Sequence, residues 1–270
     1  MTDTYDEEIR FTDAVLGDVL DALESLGILD ETILVVFSDH GEDFGDHRDV
    51  GRHGHQVYDS VTHVPLMIRW PAGGVTPRTV HDAVGLVDVA PTLLELLGLA
   101  VPPQFLGRSL VPLLRGEVSV AESPRFAISE NLSVFRRTGI ESDGFKLIVN
   151  DDWNRAKIDP SRITDVHAEV FGNRGVPVEL YDLRVDPGER QNLVRSDDSG
   201  NGEASTPEAA ARYDGLARLL EKVMERSEEV RASGPARGSL SEGGAGALIL
   251  DKLNELGYMG EVGSNEEPGR

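Results

Sequence analysis

Aspartate, glutamate and imidazole side chains crowd one stretch of this chain. In TILVVFSDHGEDFGDHRDVGRHGHQVY, from Thr32 to Tyr58, the apolar run Ile33 to Phe37 stops at Ser38, and Asp39, His40, Gly41 and Glu42 follow at once. Asp43, Asp46, His47, Asp49, His53 and His55 come next, so that four of the seven histidines lie between His40 and His55. A carboxylate oxygen and an imidazole nitrogen side by side can hold a divalent ion. A further imidazole nearby can give a proton to a leaving group. Together these groups suit metal-assisted attack on a charged ester. Gly41, Gly45, Gly51 and Gly54 would let the backbone turn tightly around an ion. A solvated acidic loop would also contain an Asp-His-Gly tripeptide. The preceding strand and the density of histidines favour the chemical reading.

The elements that must position this loop follow from periodicity. The run Ile33 to Phe37 reads as a strand buried on both faces, and the crevice beyond the carboxyl end of such a strand is where an open α/β sheet binds ligands. Before it, Ile9, Leu16, Val19, Leu20, Leu23 and Leu26 recur on one face of a helix from Tyr5 to Leu26, ended by Gly27. This helix-then-strand order suits a parallel unit. After the loop, Val64 to Trp70 reads as a second strand and Val84 to Val87 as a short third. Asp88 caps a helix with Pro91 in its first turn and Gly98 at its end. Gly107 to Leu114 reads as a loop and a short helix with Ser109 as its cap. From Glu117 the pattern changes to short strands, Phe126–Ser129, Leu132–Thr138, Phe145–Val149 and Glu179–Leu183, which suits a small antiparallel sheet. Asp186-Pro187-Gly188-Glu189 is a turn. Residues 151–177 contain no clear element, and Arg195 to Pro207 reads as a flexible linker. A surface helix from Pro207 to Arg231 and a short one from Ala247 to Leu256 complete the chain.

The motifs SDHGE, GDH and HG, then Tyr58 and VPLMIRWP, resemble the sulfatases of the alkaline-phosphatase superfamily. The resemblance continues through VDVAPTLLELLGL, GRSLVPLLRGE, ELYDLRVDPGERQNLV and LNELGYMGE. It implies an α/β fold, a partial α/β/α sandwich of the alkaline-phosphatase type with a small C-terminal antiparallel sheet and helix. The implied division is a catalytic portion over 1–120, an antiparallel subdomain over 121–195, and a linker with terminal helices over 196–270. It makes Asp39 and His40 metal ligands, for Ca²⁺ with Mn²⁺ or Zn²⁺ as alternatives. It places His53 where many sulfatases have a Lys or His that touches the substrate or its leaving group. The register of Arg52-His53-Gly54-His55 leaves His55 as the alternate. His47 matches a histidine common in this loop.

The family's nucleophile sits in a Cys/Ser-x-Pro-x-Arg motif that precedes the Asp-His strand. This chain has no Cys, and Ser123-Pro124-Arg125 lacks the spacer and follows that strand. The resemblance is therefore to the C-terminal part of a sulfatase without its nucleophile segment. The activity implied is metal-dependent hydrolysis of a sulfuric ester. The alternatives are an inactive metal-binding fragment or a phosphodiesterase or phosphonate-ester hydrolase of the same superfamily. The partners implied are a small sulfate or phosphate ester and either a missing N-terminal half or a second copy of the chain.

Composition narrows the partners further. A formal charge of −22, with only four lysines in 270 residues, argues against nucleic acid and against anionic membranes. Without cysteine there are no disulfides and no thiolate metal sites. Thr2 to Arg10 is acidic and polar, unlike a secretory leader, and this favours the cytoplasm. No run reaches the ~18 apolar residues of a membrane span. Such an acid excess suits a salt-loving source, since about 1 M salt screens charge repulsion to within roughly 3 Å. Thermal stability is expected to rise across a KCl series, and a melting temperature that falls steadily with salt would contradict the assignment.

Overall fold

A computed structural model describes residues 2–47, 53, 56–117, 125–131, 137–150, 178–196 and 202–233. The chain divides into two compact units, Met1–Glu225 and Arg226–Arg270. The first helix, α1, spans Thr2–Ser25 and stops at Gly27, whose φ of +70° closes the helix without a Cβ clash. The strand before the histidine loop is β1, Leu34–Phe37, and it pairs antiparallel with β2, Leu66–Arg69, in the register Val35↔Ile68. Two expectations fail here. Among the described residues β1 has no parallel neighbour, and none of its residues is buried, with Phe37 49% exposed. A two-stranded pair has too little surface to cover its own faces.

Between and after these strands lie short helices. The four-residue α2, Asp59–Thr62, precedes β2. The predicted strand Val84–Val87 is instead loop and a single 3₁₀ turn, Leu86–Asp88, leading into α3, Val89–Leu96. Asp88 stands at the N-cap position of α3 but makes no side-chain cap there. Its buried carboxylate instead accepts the N–H groups of Gly85 (3.2 Å) and Arg108 (2.7 Å), joining two loops. The next helix, α4, is Val111–Arg115; its N-cap position falls on Leu110 and not on the expected Ser109, whose Oγ accepts the Val111 N–H at 3.2 Å from one residue further back.

The second sheet is a four-stranded antiparallel meander: β3 (Ala127–Asn131), β4 (Arg137–Ser142), β5 (Phe145–Asn150) and β6 (Val178–Asp182). The β4 strand begins where the expected Leu132–Thr138 strand ends. Its register is set by Asp143-Gly144, both at positive φ (+53° and +71°), a two-residue turn that leaves Ser142 opposite Phe145. Residues 151–177 lie outside the described residues, as does the helix expected at Ala247–Leu256. The stretch read as a linker contains a short antiparallel pair, β7 (Val194–Ser196) with β8 (Gly202–Ala204). The last described helix, α5, spans Pro207–Ser233.

The alternation of β5 explains how this sheet serves the loop. Its residues point to opposite faces in turn. Phe145 and Leu147 join Ile140, Leu180, Val194 and, from α5, Ala209 and Leu216 in one core. Ile148 joins Tyr181 of β6 on the other face, packed against Val57 and Tyr58 from the end of the histidine loop. The sheet is therefore covered on one side by α5 and on the other by the segment that carries the candidate site. Leu147→Ala, at a fully buried position, is expected to cost about 2–5 kcal/mol in urea unfolding. A loss under about 1 kcal/mol would mean that this core is not closed.

Candidate functional site

Ser38 ends β1 by donating its N–H to Pro65 O (3.4 Å) and its hydroxyl to His40 O (2.7 Å). Gly41 N–H donates to Val61 O at 2.7 Å, and a Cβ on Gly41 would lie 2.3 Å from Ser60 O. Only glycine lets the loop approach α2 this closely. These contacts turn Asp39 and His40 out at the end of the strand, as the sequence reading requires.

Hydrogen bonds fix the imidazoles. His40 Nδ1 lies 2.9 Å from Gly41 O, and a carbonyl can only accept, so the ring proton resides on Nδ1. His40 Nε2 keeps a free lone pair 3.8 Å from Asp39 Oδ2. His53 stacks on His40 with ring centroids 4.2 Å apart, and its Nδ1 lies 2.7 Å from Glu42 Oε2. Glu42 thus holds the Nδ1–H and leaves Nε2 to exchange a proton. The structure therefore brings together Asp39, His40 and His53; His55 and Arg52 lie outside the described residues. A cavity of about 540 Å³ is lined by these three side chains, by Ser129, Glu130 and Asn131 of β3, and by apolar residues that include Val61 and Leu86.

As a donor set for a divalent ion, the carboxylate of Asp39 and Nε2 of His40 have suitable chemistry and spacing. They amount to part of a site. Among the described residues no three His, Cys, Asp or Glu side chains gather in ligating geometry, and Asp39 is 85% exposed. The remaining ligands of a six-coordinate ion would be water or other carboxylates.

Behind this front lies a buried polar layer that the sequence reading missed. Lys146 of β5, 2% exposed, donates to Asp59 Oδ1 (2.7 Å) and Thr62 Oγ1 (3.1 Å) and sits 3.0 Å from Glu189 Oε1. The other Glu189 oxygen accepts the Asp59 N–H at the start of α2 (2.6 Å). From the same turn, Gly188 O accepts His47 Nε2–H at 3.0 Å. His47 stacks on Tyr58 at 3.8 Å, with Nδ1 3.5 Å from the buried Asp43 carboxylate. Tyr58 and Tyr181 both donate to Glu179 Oε2, at 2.7 and 2.5 Å. Burial and the Glu179 charge push both phenols up. Burial also pushes the Glu189 carboxyl up, outweighing Lys146 beside it. Burial acts the same way on Asp43, but hydrogen bonds from Gly45 N–H and Ser60 prevail and hold its carboxyl below the usual range. One signal for this layer was available: a lysine flanked by Phe145 and Leu147 inside an apolar strand.

Comparison with known proteins finds the following similarities. Residues 1–99 match the family described as Sulfatase, and residues 51–169 match the one described as N-sulphoglucosamine sulphohydrolase, C-terminal. Human arylsulfatase K is 39% identical over 188 residues, which are 68% of this chain and 31% of the human protein. The delta 4,5-hexuronate-2-O-sulfatase of Bacteroides thetaiotaomicron is 33% identical over 182 residues, 67% of this chain and 34% of that protein. A solved 2-O GAG sulfatase is 27% identical with a TM-score of 0.55, covering 83% of this chain and 42% of its own. The phosphonate monoester hydrolase of Silicibacter pomeroyi is 25% identical with a TM-score of 0.50, covering 85% and 40%. The chain belongs to the sulfatase family, and its fold is a partial α/β domain of the alkaline-phosphatase type. It spans about a third of the length of the curated relatives it matches.

Lys146→Met leaves the buried Glu189 carboxylate and the half-buried Asp59 carboxylate beside each other without a cation. It is expected to destabilise the fold by about 3–5 kcal/mol at neutral pH. A carboxyl whose folded pKa lies above its ordinary 4.5 favours folding when protonated, so the loss should shrink as pH falls through that folded value. A loss that stays constant across the acid range of a denaturation series would show that Glu189 is not the group left unpaired.

Proposed function

We propose that this chain contributes to a divalent-metal-dependent hydrolase of sulfuric esters carried on sugars. The observation behind this reading is the convergence of Asp39 and His40 Nε2 at the end of β1, with His53 stacked against His40 at the mouth of a cavity. Asp39 and His40 hold the ion, with Ca²⁺ first and Mn²⁺ or Zn²⁺ as alternatives. When bound, the ion would draw charge from the sulfate oxygens. His53, held by Glu42, gives the proton from Nε2 to the departing alcohol as the sulfur–oxygen bond breaks. His55 is the alternate for that role. Glu130 and Asn131 on the β3 side of the cavity offer polar contacts for the alcohol portion. The sugar ester is suggested by the hexuronate named in one relative and the GAG sulfatase among the solved structures.

The attacking nucleophile is not assigned within this chain: it has no Cys, and its one Ser-x-Pro-x-Arg match, Ser233-Gly234-Pro235-Ala236-Arg237, follows the Asp39-His40 strand instead of preceding it. A second reading, phosphonate-ester hydrolysis, is supported by the likeness to the phosphonate monoester hydrolase.

The test combines Mn²⁺ titration with sulfate release from a 2-O-sulfated hexuronate disaccharide. Asp39→Asn and His40→Ala are each expected to weaken Mn²⁺ binding by about tenfold or more, and EDTA should abolish release. His53→Ala should cut the rate by about 10²–10⁴ while leaving Mn²⁺ binding in place. Release that survives EDTA or Asp39→Asn overturns the proposal. Faster turnover of phenylphosphonate monoesters establishes the second reading. Mn²⁺ binding with no turnover of either ester reduces the chain to a metal-binding fragment.

A further inference from the structure

Lys146 has three N–H groups to give, and three partners take them. Asp59 Oδ1 lies 2.7 Å from Nζ, Glu189 Oε1 3.0 Å and Thr62 Oγ1 3.1 Å. A third carboxyl faces the same ammonium. Glu141 of β4 is the cross-strand partner of Lys146 in the β4–β5 register, so the two side chains leave the sheet on the same face. Glu141 is half-buried, and with Asp59, Thr62, His63, Ser129 and Lys146 it lines a cavity of about 50 Å³. Such a cavity has room for water, through which a proton can exchange.

The charges in this layer do not balance. Three carboxyls, of Asp59, Glu141 and Glu189, surround one ammonium whose donors are spent. The groups facing Glu141 are Asp59 and His63 from α2, Lys146 from β5 and Glu189 from the turn after β6, while β3 brings the uncharged Ala127 and Ser129. Tyr181 of β6 stands opposite Lys146, but its hydroxyl donates to Glu179. Burial first, and then the Asp59 charge, push the Glu141 carboxyl up, against the pull of Lys146 and His63.

We propose that Glu141 is a pH-sensitive latch on α2. Neutral, it leaves Lys146 to Asp59. Ionised, it competes for the ammonium and repels Asp59, and α2 loosens. The effect reaches the histidine loop because α2 holds that loop at two points. Val61 O accepts the Gly41 N–H, and Ser60 Oγ donates to Asp43 Oδ2. A carboxyl with a raised folded pKa contributes stability that is full below its unfolded value and is lost as pH rises through the folded one. The latch is thus closed on the acid side and slack on the alkaline side, and it does not depend on the ester chemistry above.

The experiment is native-state amide hydrogen exchange on the whole chain, from about pH 5 to about pH 9, with the intrinsic pH dependence of exchange removed. The amides of Val61, Thr62 and His63, which donate to Tyr58 O and Asp59 O, report on α2. Their protection is expected to stay below that of the β5 amides, the mark of a local opening. It should fall with rising pH, about tenfold for each unit by which the folded Glu141 pKa exceeds its ordinary value. Glu141→Gln, neutral at every pH, should remove the fall. In the unsubstituted protein the ¹³C signal of the Glu141 carboxyl should titrate at the midpoint of that fall, which decides the question even where the variant does not fold. Protection of α2 that does not vary with pH, or that equals that of β5, would overturn the latch. So would a fall that persists in Glu141→Gln, or a carboxyl that titrates away from the midpoint.

Discussion

Lysine 146 imposes the constraint on which the rest of this structure depends. It occupies a strand position flanked by Phe145 and Leu147, both in the core, and its ammonium is almost fully removed from water. A charge so placed must be paired and hydrogen-bonded. Its partners come from distant parts of the chain: Asp59 and Thr62 from α2, and Glu189 from the turn after β6. Satisfying this one group therefore fixes the first turn of α2 against the antiparallel sheet. Glu189 strengthens the link by accepting the Asp59 N–H, and the adjacent Gly188 carbonyl reaches His47.

This pinned layer connects the sheet to the chemistry. Tyr58 stands immediately before α2, anchored by Glu179 and covered by His47. The histidine loop is thus held at its far end by the sheet and at its near end by the Gly41–Val61 hydrogen bond. What remains free to act is the short front formed by Asp39, His40 and His53. The antiparallel sheet divides its labour by strand alternation. One face buries the apolar side of α5, and the other carries the lysine, the glutamate and the tyrosines that fix the loop.

The front is also the least enclosed part of the unit. Asp39 is mostly exposed, no residue of the β1–β2 pair is buried, and Ile9, Phe11, Val15 and Val19 of α1 are exposed.

The local elements were legible because their signals are local. The glycine stop after α1, the apolar run of β1 and the Asp39-His40 pair at its end all appear as read. So do the surface helix α5 and the antiparallel character of the region after Glu117. The family could be read from motif order, since each motif is a short stretch. What the sequence alone could not decide was how distant stretches meet. Asp88 looked like a helix cap because the Ser/Asp-then-Pro pattern is local, yet its carboxylate bridges Gly85 and Arg108. The β1 run looked doubly buried because it is apolar, yet burial depends on what lies across the sheet, and among the described residues only β2 does. The Asp186–Glu189 turn was visible as a turn, while its grip on His47 and Asp59 joins residues more than a hundred positions apart. The sequence by itself determined the candidate residues and the local elements that carry them, because propensity and periodicity act over a few residues. The tertiary structure alone decided the Lys146 cluster, the His40–His53 stack and the exposure of α1 and the β1–β2 pair, because pairing a buried charge and covering an apolar surface are settled by distance in space.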